Sequence, residues 1–386
     1  MSKFVTQKVT DLPPSGIRKF FDLAATMDEC ISLSIGEPDF VTPKLMMDAA
    51  IESLHQGKTA YTSNAGLIEL RQEICNYLKK YDLSYDAAKE VLITVGASEA
   101  IDLAFLALLS AGDEVLIPDP SFVCYGPLTI MAGGTPVSLA TYEKDEFRLT
   151  AEELEKKITS NSKVLLLPYP NNPTGGIMRK EDYEPIAEVV KKHDLFVICD
   201  EIYSELVYGG EKHYSFAALP GMKERSLVLN GFSKAFAMTG WRIGYACGPA
   251  DVIAAITKIH QYGIMSAPTM GQYGALEGLR HGEEEVKKMV QSYDERRKVI
   301  VQGFRDMGLS CFEPKGAFYC FPSIQSTGLS SEEFCERLLK AEKVAVVPGN
   351  AFGASGEGFI RCSYASSMEN IKEALKRIEH FINSLK

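Results

Sequence analysis

The sequence is poor in the residues that build metal centres and covalent cross-links. It has only six histidines in 386 residues, and none pairs with another histidine or with a cysteine at metal-ligand spacing. We therefore expect no metal site. The nine cysteines are odd in number and contain no C-x-x-C pair. They are predicted to be free thiols, most of them buried, in a reducing compartment.

An excess of positive charge and long apolar runs are also absent. The formal net charge is -10 and the sequence pI is about 5.3, so nucleic acid would be repelled and is not expected as a partner. No stretch approaches the roughly 18 apolar residues that a membrane-spanning helix needs. Residues 1–21 also lack the apolar core of a signal peptide. We predict a cytoplasmic protein with no membrane partner.

What the chain does have is an alternation of β-rich runs with helical patterns. Because each run is short, apolar and separated from the next by a helix or loop, the pattern predicts an α/β fold with a mostly parallel sheet flanked by helices. The runs are VLITV (91–95), EVLI (114–117), KVLLL (163–167), LFVIC (195–199), SLVLN (226–230) and RIGYAC (242–247).

The last third of the chain is predicted to form a smaller α/β domain. Strands are expected at 317–322, 344–347 and 359–363, and helices at 283–307, 331–341 and 368–385. The charge-rich stretch 283–307 reads as a long, solvated helix that joins the two domains. The predicted division is an N-terminal segment at 1–45 that packs with the small domain, a large cofactor-binding domain at 46–285 and a small domain at 286–386.

Ligands of open α/β sheets bind beyond the carboxyl ends of the strands, so the residues after each run carry the functional argument. Ala97 and Ser98 follow the first run and open a helix, where backbone N–H groups attract an anion. A plain helix cap at Ser98 is the alternative. Asn172 lies in the N-P-T-G loop after the third run and can present its amide to a ring oxygen, although such loops also form ordinary turns.

The next two strand ends carry charges. Asp200 ends an apolar run, where burial of a carboxylate costs free energy unless a cation pairs with it. A protonated ring nitrogen would be such a cation, and a helix cap is the alternative. Tyr203 follows shortly after and could donate to a ring oxygen. Lys234 has apolar neighbours that favour its neutral, nucleophilic form, while Ser233 and the forked Arg242 can hold a phosphate.

These motifs together resemble the class I and II aminotransferase family, which has the type I fold of pyridoxal-phosphate enzymes. The stretch 231–244, GFSKAFAMTGWRIG, agrees with the lysine signature of that family, and the resemblance runs from SIGEP (34–38) to RCSY (361–364). It implies that pyridoxal 5'-phosphate is the cofactor and that the chain moves an amino group between an L-amino acid and a 2-oxo acid.

The resemblance also implies a role for each matching residue. Lys234 would bind the cofactor as a Schiff base and move the proton, Asp200 would pair with the ring nitrogen, and Asn172 and Tyr203 would donate to its phenolic oxygen. The remaining assignments are the phosphate site at Ala97, Ser98, Ser233 and Arg242, ring stacking by Phe122, binding of the substrate α-carboxylate by Arg361 with Gly36, and a tyrosine, Tyr61, that reaches the phosphate of the neighbouring subunit. The last assignment implies a homodimer with shared active sites.

The substrate side chain is less constrained. The motifs SGIRKFF, YTSNAG and GASEAID resemble the bacterial subgroup that acts on N-acetyl-LL-diaminopimelate, with 2-oxoglutarate and glutamate as the second pair. Some aspartate-using members of a related subgroup carry lysine where this chain has Ser98, which disfavours a simple aspartate assignment. Arg18 or Lys19 would meet an acidic substrate side chain, or would form a solvated basic pair.

Other activities remain open on the same motifs. Aspartate or an aromatic amino acid is an alternative substrate, and a β-lyase would use the same cofactor residues. A regulator that binds the cofactor as an effector is disfavoured by the acidic charge and by the lack of an N-terminal extension.

Overall fold

The computed structural model describes residues 4–12, 16, 27 and 29–385. Twelve strands and twelve α-helices lie within these ranges. The strands are β1 (Ile31–Ser32), β2 (Val91–Thr94), β3 (Glu114–Asp119), β4 (Thr135–Ala140), β5 (Ser162–Leu167), β6 (Phe196–Asp200), β7 (Ser226–Gly231), β8 (Gly244–Cys247), β9 (Tyr319–Cys320), β10 (Val344–Ala345), β11 (Val347–Pro348) and β12 (Ile360–Ser363). The helices are α1 (Gln7–Thr10), α2 (Lys44–His55), α3 (Ile68–Leu78), α4 (Gly96–Leu108), α5 (Tyr125–Met131), α6 (Ala151–Lys157), α7 (Lys180–Lys192), α8 (Ala250–Gly263), α9 (Thr269–His281), α10 (Glu283–Asp306), α11 (Ser331–Glu342) and α12 (Met368–Ser384).

The main sheet has seven strands in the order β2-β8-β7-β6-β5-β3-β4. Every neighbouring pair is parallel except those made by β8, which runs antiparallel to β2 and β7. This confirms the predicted α/β class with a mostly parallel sheet. The edge strand β4 was missing from the prediction, because TPVSLA is only half-buried and lacks the continuous apolar run of the inner strands.

Helices cover both faces of the main sheet, as the strand side chains show. In β5, Val164 and Leu166 pack into one hydrophobic cluster, whereas Leu165 and Leu167 pack into the other. Successive side chains of a strand point to opposite faces, so an unbroken apolar run places one residue in each core in turn. The same alternation occurs in β6 and β7. It therefore determines towards which face the residues at the end of each strand point.

The last third of the chain forms a small antiparallel sheet in the order β11-β12-β9. The prediction of one strand at 344–347 is wrong: β10 pairs with β1 in a separate two-stranded sheet, while β11 joins the small sheet. The prediction of a solvated helix at 283–307 is also wrong in part, because α10 buries Met289, Tyr293, Ile300 and Phe304 along one face and packs against α12. Its charges occupy the other face.

The N-terminal segment crosses to the last third of the chain. Ile31 pairs with Val344 in a parallel register, and Thr42, just before α2, donates to the Ala237 carbonyl oxygen at 2.6 Å. The division at residues 45 and 285 stays a prediction. All nine cysteines lie in the described part of the chain and are free thiols. No helix within the described ranges is long and apolar enough to cross a membrane.

Candidate active site

One cavity lies at the edge where the parallel strands of the main sheet end. β8 contributes its first residues to the same edge, because it runs in the opposite direction. The cavity has a volume of about 550 Å³, which is within the range of small-molecule sites. It brings together nearly all the residues predicted from the sequence, and its lining includes Gly36, Ala97, Ser98, Phe122, Tyr125, Asn172, Asp200, Tyr203, Ser233, Lys234, Arg242, Tyr319 and Arg361.

Lys234 lies just after β7, at the centre of this lining. Its Nζ donates to the carbonyl oxygen of Gly36 at 2.5 Å, and it lies 5.8 Å from the ring centroids of both Tyr203 and Phe318. Burial, followed by the nearby Arg361, lowers the pKa of Lys234 to about 8. A substantial fraction of this amine is therefore neutral near physiological pH, as a nucleophile or a general base requires.

Asp200 ends β6 and is buried with its carboxylate facing the cavity. The Tyr125 hydroxyl donates to Oδ2 at 2.7 Å, and the Ile202 backbone N–H donates to Oδ1 at 3.3 Å. Burial raises the pKa of Asp200, while these two hydrogen bonds oppose the rise. Within the described ranges no cation lies at ion-pair distance from this carboxylate, so a cationic ligand group beside it would relieve an electrostatic cost.

The start of α4 and the start of β8 form an anion-binding corner. Gly96 has φ +73°, and a Cβ at this position would lie 2.4 Å from Nη2 of Arg242. Arg242 is half-buried and donates from Nη1 to the carbonyl oxygen of Thr239 at 2.9 Å. The absence of a side chain at Gly96 thus lets the guanidinium lie against the helix N-terminus, where N–H groups and the helix dipole also favour an anion.

Arg361 lies in β12, on the opposite wall of the cavity, and is buried. Its Nη1 donates to Asn172 Oδ1 at 3.0 Å and its Nη2 donates to the Ser34 carbonyl oxygen at 2.5 Å. Among the residues that the structure describes, its Nε has no hydrogen-bond partner. The guanidinium lies 4.5 Å from the ring centroid of Tyr319 and 4.8 Å from that of Phe352. Burial lowers the pKa of Arg361, and no carboxylate in the described ranges pairs with it.

The cavity is therefore lined by two carboxylates, Asp200 and Glu37, and by three cations, and none of the five forms an ion pair in the part of the chain that the structure describes. These residues fit pyridoxal 5'-phosphate and an amino acid: Asp200 suits a protonated ring nitrogen, Arg242 with the α4 N-terminus suits a phosphate, and Arg361 suits a carboxylate. The amine of Lys234 lines the same cavity as Asp200 and Arg361, and both of these charges affect its pKa. A neutral amine here could attack a carbonyl carbon of the cofactor.

Some predicted residues lie elsewhere. Tyr61 does not line the cavity and its side chain is 77 % exposed, so within one chain it has no part in the site. Arg18 and Lys19 lie outside the described residues. Phe122 does line the cavity, at the end of β3, and its ring packs edge-to-face on Tyr125 at 5.9 Å.

Three aromatic residues in or beside the cavity were not predicted from the sequence. Tyr125 begins α5 shortly after Phe122 in the chain, and the two rings pack edge-to-face with centroids 5.9 Å apart. Tyr319 and Phe352 contact Arg361 from segments distant in the chain, so only the folded structure identifies them. Glu37 also lines the cavity, next to Gly36.

The chain belongs to the class I and II aminotransferase family, whose sequence profile matches residues 28–378. The protein is thus a transaminase that depends on pyridoxal 5'-phosphate, as the resemblance implied.

Relatives match over almost their whole length. The chain is 54% identical over 384 residues to a Bacillus subtilis protein named as an aminotransferase, YugH, and covers 99% of both chains. It is 47% identical to the aspartate aminotransferase of Pyrococcus abyssi, covering 97% of both. It is 43% identical to a Bacillus subtilis protein that carries the name N-acetyl-LL-diaminopimelate aminotransferase, covering 99% of this chain and 96% of that one.

Solved structures agree with the fold. An aromatic aminotransferase from Pyrococcus horikoshii superposes with a TM-score of 0.91 at 44% identity, over 95% of this chain and 99% of that one. The aspartate aminotransferase of Thermus thermophilus with maleate superposes with a TM-score of 0.93 at 36% identity, over 98% of this chain and 100% of that one. The type I fold of pyridoxal-phosphate enzymes is thereby confirmed.

Proposed function

We propose that this transaminase acts on N-acetyl-LL-diaminopimelate, with 2-oxoglutarate and glutamate as the second substrate pair. The observation that carries the assignment of an amino-acid site is Arg361, a buried guanidinium with no anionic partner in the described ranges and a free Nε donor. A buried charge of this kind carries a desolvation cost that a bound anion would offset, and an α-carboxylate matches its forked geometry.

The roles of the other residues follow from their positions. The bound cofactor supplies an electron sink for the pair of electrons released at the substrate α-carbon. Lys234, with its pKa lowered to about 8, would hold the cofactor and would act as the base that accepts the substrate α-proton. Asp200 keeps the ring nitrogen protonated, Asn172 and Tyr203 hold the phenolic oxygen, and Phe122 covers a ring face. Ala97, Ser98, Ser233 and Arg242 hold the phosphate, and Gly36 closes on the carboxylate beside Arg361.

The choice of side chain is supported by the charge count and by the relatives. Lys234, Arg242 and Arg361 are assigned to the cofactor carbonyl, the phosphate and the α-carboxylate. No further cation lines the described part of the cavity, so a second carboxylate close to the reacting carbon would have no charged partner there. Aspartate has such a carboxylate, and Ser98 supplies no charge for it. A long substrate with a neutral amide and a distant carboxylate fits this charge distribution better. The relative at 43% identity carries this activity in its name.

A second candidate is an amino acid with an acidic or aromatic side chain. The relative named as an aspartate aminotransferase is more similar, at 47% identity, and the Pyrococcus horikoshii structure is an aromatic aminotransferase. A β-lyase would use the same cofactor residues and differs in its products.

A half-reaction screen separates these possibilities. The purified holoenzyme is mixed with N-acetyl-LL-diaminopimelate, LL-diaminopimelate, aspartate, phenylalanine or glutamate, and loss of the cofactor's visible absorbance band is followed in time. We expect N-acetyl-LL-diaminopimelate and glutamate to react fastest. A faster reaction with aspartate or phenylalanine would replace the proposed substrate, and release of ammonia and pyruvate from a sulfur amino acid would indicate a lyase.

We also propose a homodimer in which Tyr61 completes the phosphate site of the second subunit. Tyr61 lies on a surface with other exposed apolar side chains, including Tyr262 and Met265, and the Asn64 amide donates to the Met265 carbonyl oxygen at 2.7 Å, which joins the two segments. Such a patch is typical of an interface. A cytoplasmic location is proposed as well, supported by the nine free cysteines.

Subunit mixing tests the shared site. Tyr61→Ala and Lys234→Ala each inactivate their homodimers if the proposal is correct. In a mixed dimer, one of the two sites combines an intact Lys234 with an intact Tyr61, so the isolated mixed dimer should have about half of the activity of the unaltered dimer. No restored activity in a mixed dimer isolated with two affinity tags would contradict sharing.

A further inference from the structure

Tyr319 contacts two parts of the site, the Arg361 guanidinium and the Tyr203 hydroxyl. Its side chain is buried in β9, on the small sheet, directly beside Ser363 of β12 in the strand register. The ring lies against the Arg361 guanidinium at 4.5 Å, and the hydroxyl is 2.9 Å from the hydroxyl of Tyr203. One residue thus contacts both the carboxylate-binding cation and a residue that faces the cofactor.

The ring of Tyr319 is one half of a pair that encloses Arg361. Phe352 lies on the guanidinium at 4.8 Å, from the turn that precedes β12. Two aromatic faces stabilise a desolvated guanidinium by cation–π attraction and restrict its rotation. Asn172 and Ser34 each accept a hydrogen bond from one Nη atom, while Nε has no hydrogen-bond partner in the described ranges.

The hydroxyl of Tyr319 has a different partner and therefore a separable effect. Burial raises the pKa of both Tyr319 and Tyr203, so both hydroxyls keep their protons at neutral pH. In a pair of protonated hydroxyls one donates and the other accepts. In the described part of the chain, the Tyr203 hydroxyl has no hydrogen-bond partner except Tyr319. If Tyr319 donates, the Tyr203 proton is free to point into the cavity.

We propose that Tyr319 is a positioning residue that acts through two groups: its ring orients Arg361 for the substrate carboxylate, and its hydroxyl donates to Tyr203 so that Tyr203 donates to the cofactor's phenolic oxygen. Hydrogen bonds in such a chain strengthen one another. The inference rests on the proposed roles of Tyr203 and Arg361. It adds a contact by which the small sheet supports both the substrate and the cofactor.

Gly36 brings a third segment to the same point. A Cβ at Gly36 would lie 2.8 Å from the Tyr319 hydroxyl, so the backbone of the N-terminal segment passes directly over it. The Gly36 carbonyl oxygen also accepts the hydrogen bond from Lys234. The Tyr319 hydroxyl is therefore shielded by backbone on one side, which limits the partners available to it and favours Tyr203.

The test separates the ring from the hydroxyl by substitution in the holoenzyme. The first readout is the pH midpoint of the cofactor's visible absorbance, which needs no turnover. The second is the dissociation constant of L-glutamate in the single-turnover half-reaction. Tyr319→Phe should raise the absorbance midpoint by about 0.3 pH unit, because the phenolate loses part of its hydrogen-bond support, and should change glutamate binding less than twofold.

Substitution of the ring should give the complementary result. Phe352→Leu removes one ring from Arg361 and should weaken glutamate binding about fivefold without moving the midpoint. Tyr319→Leu should produce both effects. Tyr208→Phe is the matched control, since it removes a buried hydroxyl that donates to the Ala317 carbonyl oxygen at 2.6 Å outside the cavity lining. It should change neither readout, and thermal denaturation checks that all variants are folded.

Tyr203→Phe distinguishes failure of this inference from failure of the proposed function. If Tyr203→Phe raises the midpoint and Tyr319→Phe does not, the hydroxyl contact is only structural and the inference is overturned, while the role of Tyr203 stands. If neither variant moves the midpoint, both the role of Tyr203 and the inference are wrong. If both move it, the double variant should show no further rise beyond that of Tyr203→Phe alone.

Discussion

The substitution Arg361→Lys tests the substrate site while keeping its positive charge. A guanidinium has five N–H donors, and Arg361 directs one to Asn172 and one to Ser34. The Nε hydrogen and one hydrogen on each Nη are then available, which is enough for a bidentate contact with a carboxylate. A lysine ammonium in the same place has three donors, and after serving Asn172 and Ser34 it has at most one left.

The expected loss is therefore about one charge-assisted hydrogen bond, worth roughly 1.5–3 kcal/mol, or about 10- to 150-fold in affinity. The assay is the amino-acid dissociation constant in the single-turnover half-reaction, followed through the cofactor absorbance band. Cofactor content is measured in parallel. Arg242→Lys is the matched control, because Arg242 lies against the N-terminus of α4 rather than beside Asn172. It should weaken retention of the cofactor and leave amino-acid binding in the loaded enzyme nearly unchanged. Loss of cofactor from Arg361→Lys with full substrate affinity would refute the assignment.

Three further outcomes are expected. Tyr125→Phe removes the hydrogen bond to Asp200, so the pKa of that carboxyl should rise further and kcat should fall about tenfold with little change in KM. If kcat of the variant equals that of the unaltered enzyme at all pH values, the contact has no role in the reaction. Gly96→Ala places a Cβ 2.4 Å from Arg242 Nη2 at a residue with φ +73°, so cofactor affinity measured by dialysis should fall at least about tenfold. Gly112→Ala is the control, because nothing lies within 4 Å of its Cβ, and it should leave cofactor affinity unchanged. The pKa of Lys234 is lowered to about 8 from 10.5, so between these pH values the unfolded chain binds more protons than the folded chain, and the cofactor-free protein should gain stability as the pH rises. Lys234→Met should abolish this gain and leave transamination almost lost. If the pH profile of urea unfolding is the same in the variant, the lowered pKa of Lys234 is contradicted.

Residues close together in the sequence accounted for much of the site. Lys234, Ser233 and Arg242 lie within one short signature, and Asp200 and Asn172 each follow an apolar run whose end was recognisable. A parallel sheet brings such ends to one edge, so local patterns were enough to predict that they would meet there. The cavity contains all of them, although it does not by itself test their roles.

The parts that could not be predicted depend on distant segments. The strand prediction at 344–347 failed because a four-residue apolar run does not reveal that its halves pair with different partners, Ile31 and Arg361. The helix at 283–307 seemed solvated because its charges dominate the composition, yet its apolar residues follow a helical spacing that buries one face. In the sequence, Tyr319 is only one residue of the predicted strand at 317–322. Its contacts with Arg361 and Tyr203 are visible only in the folded structure.

The hydrogen bonds of Arg361 also have a consequence for how the chain acquires its site. They join residues 34, 172 and 361, so the carboxylate-binding fork exists only after segments from the beginning, middle and end of the polypeptide have come together. Contacts between such remote positions close large loops and form late. During refolding, helical circular dichroism should therefore recover before amino-acid binding does. A ribosome that has not yet released the last strand would carry a chain with the lysine signature already made and no means of holding a substrate.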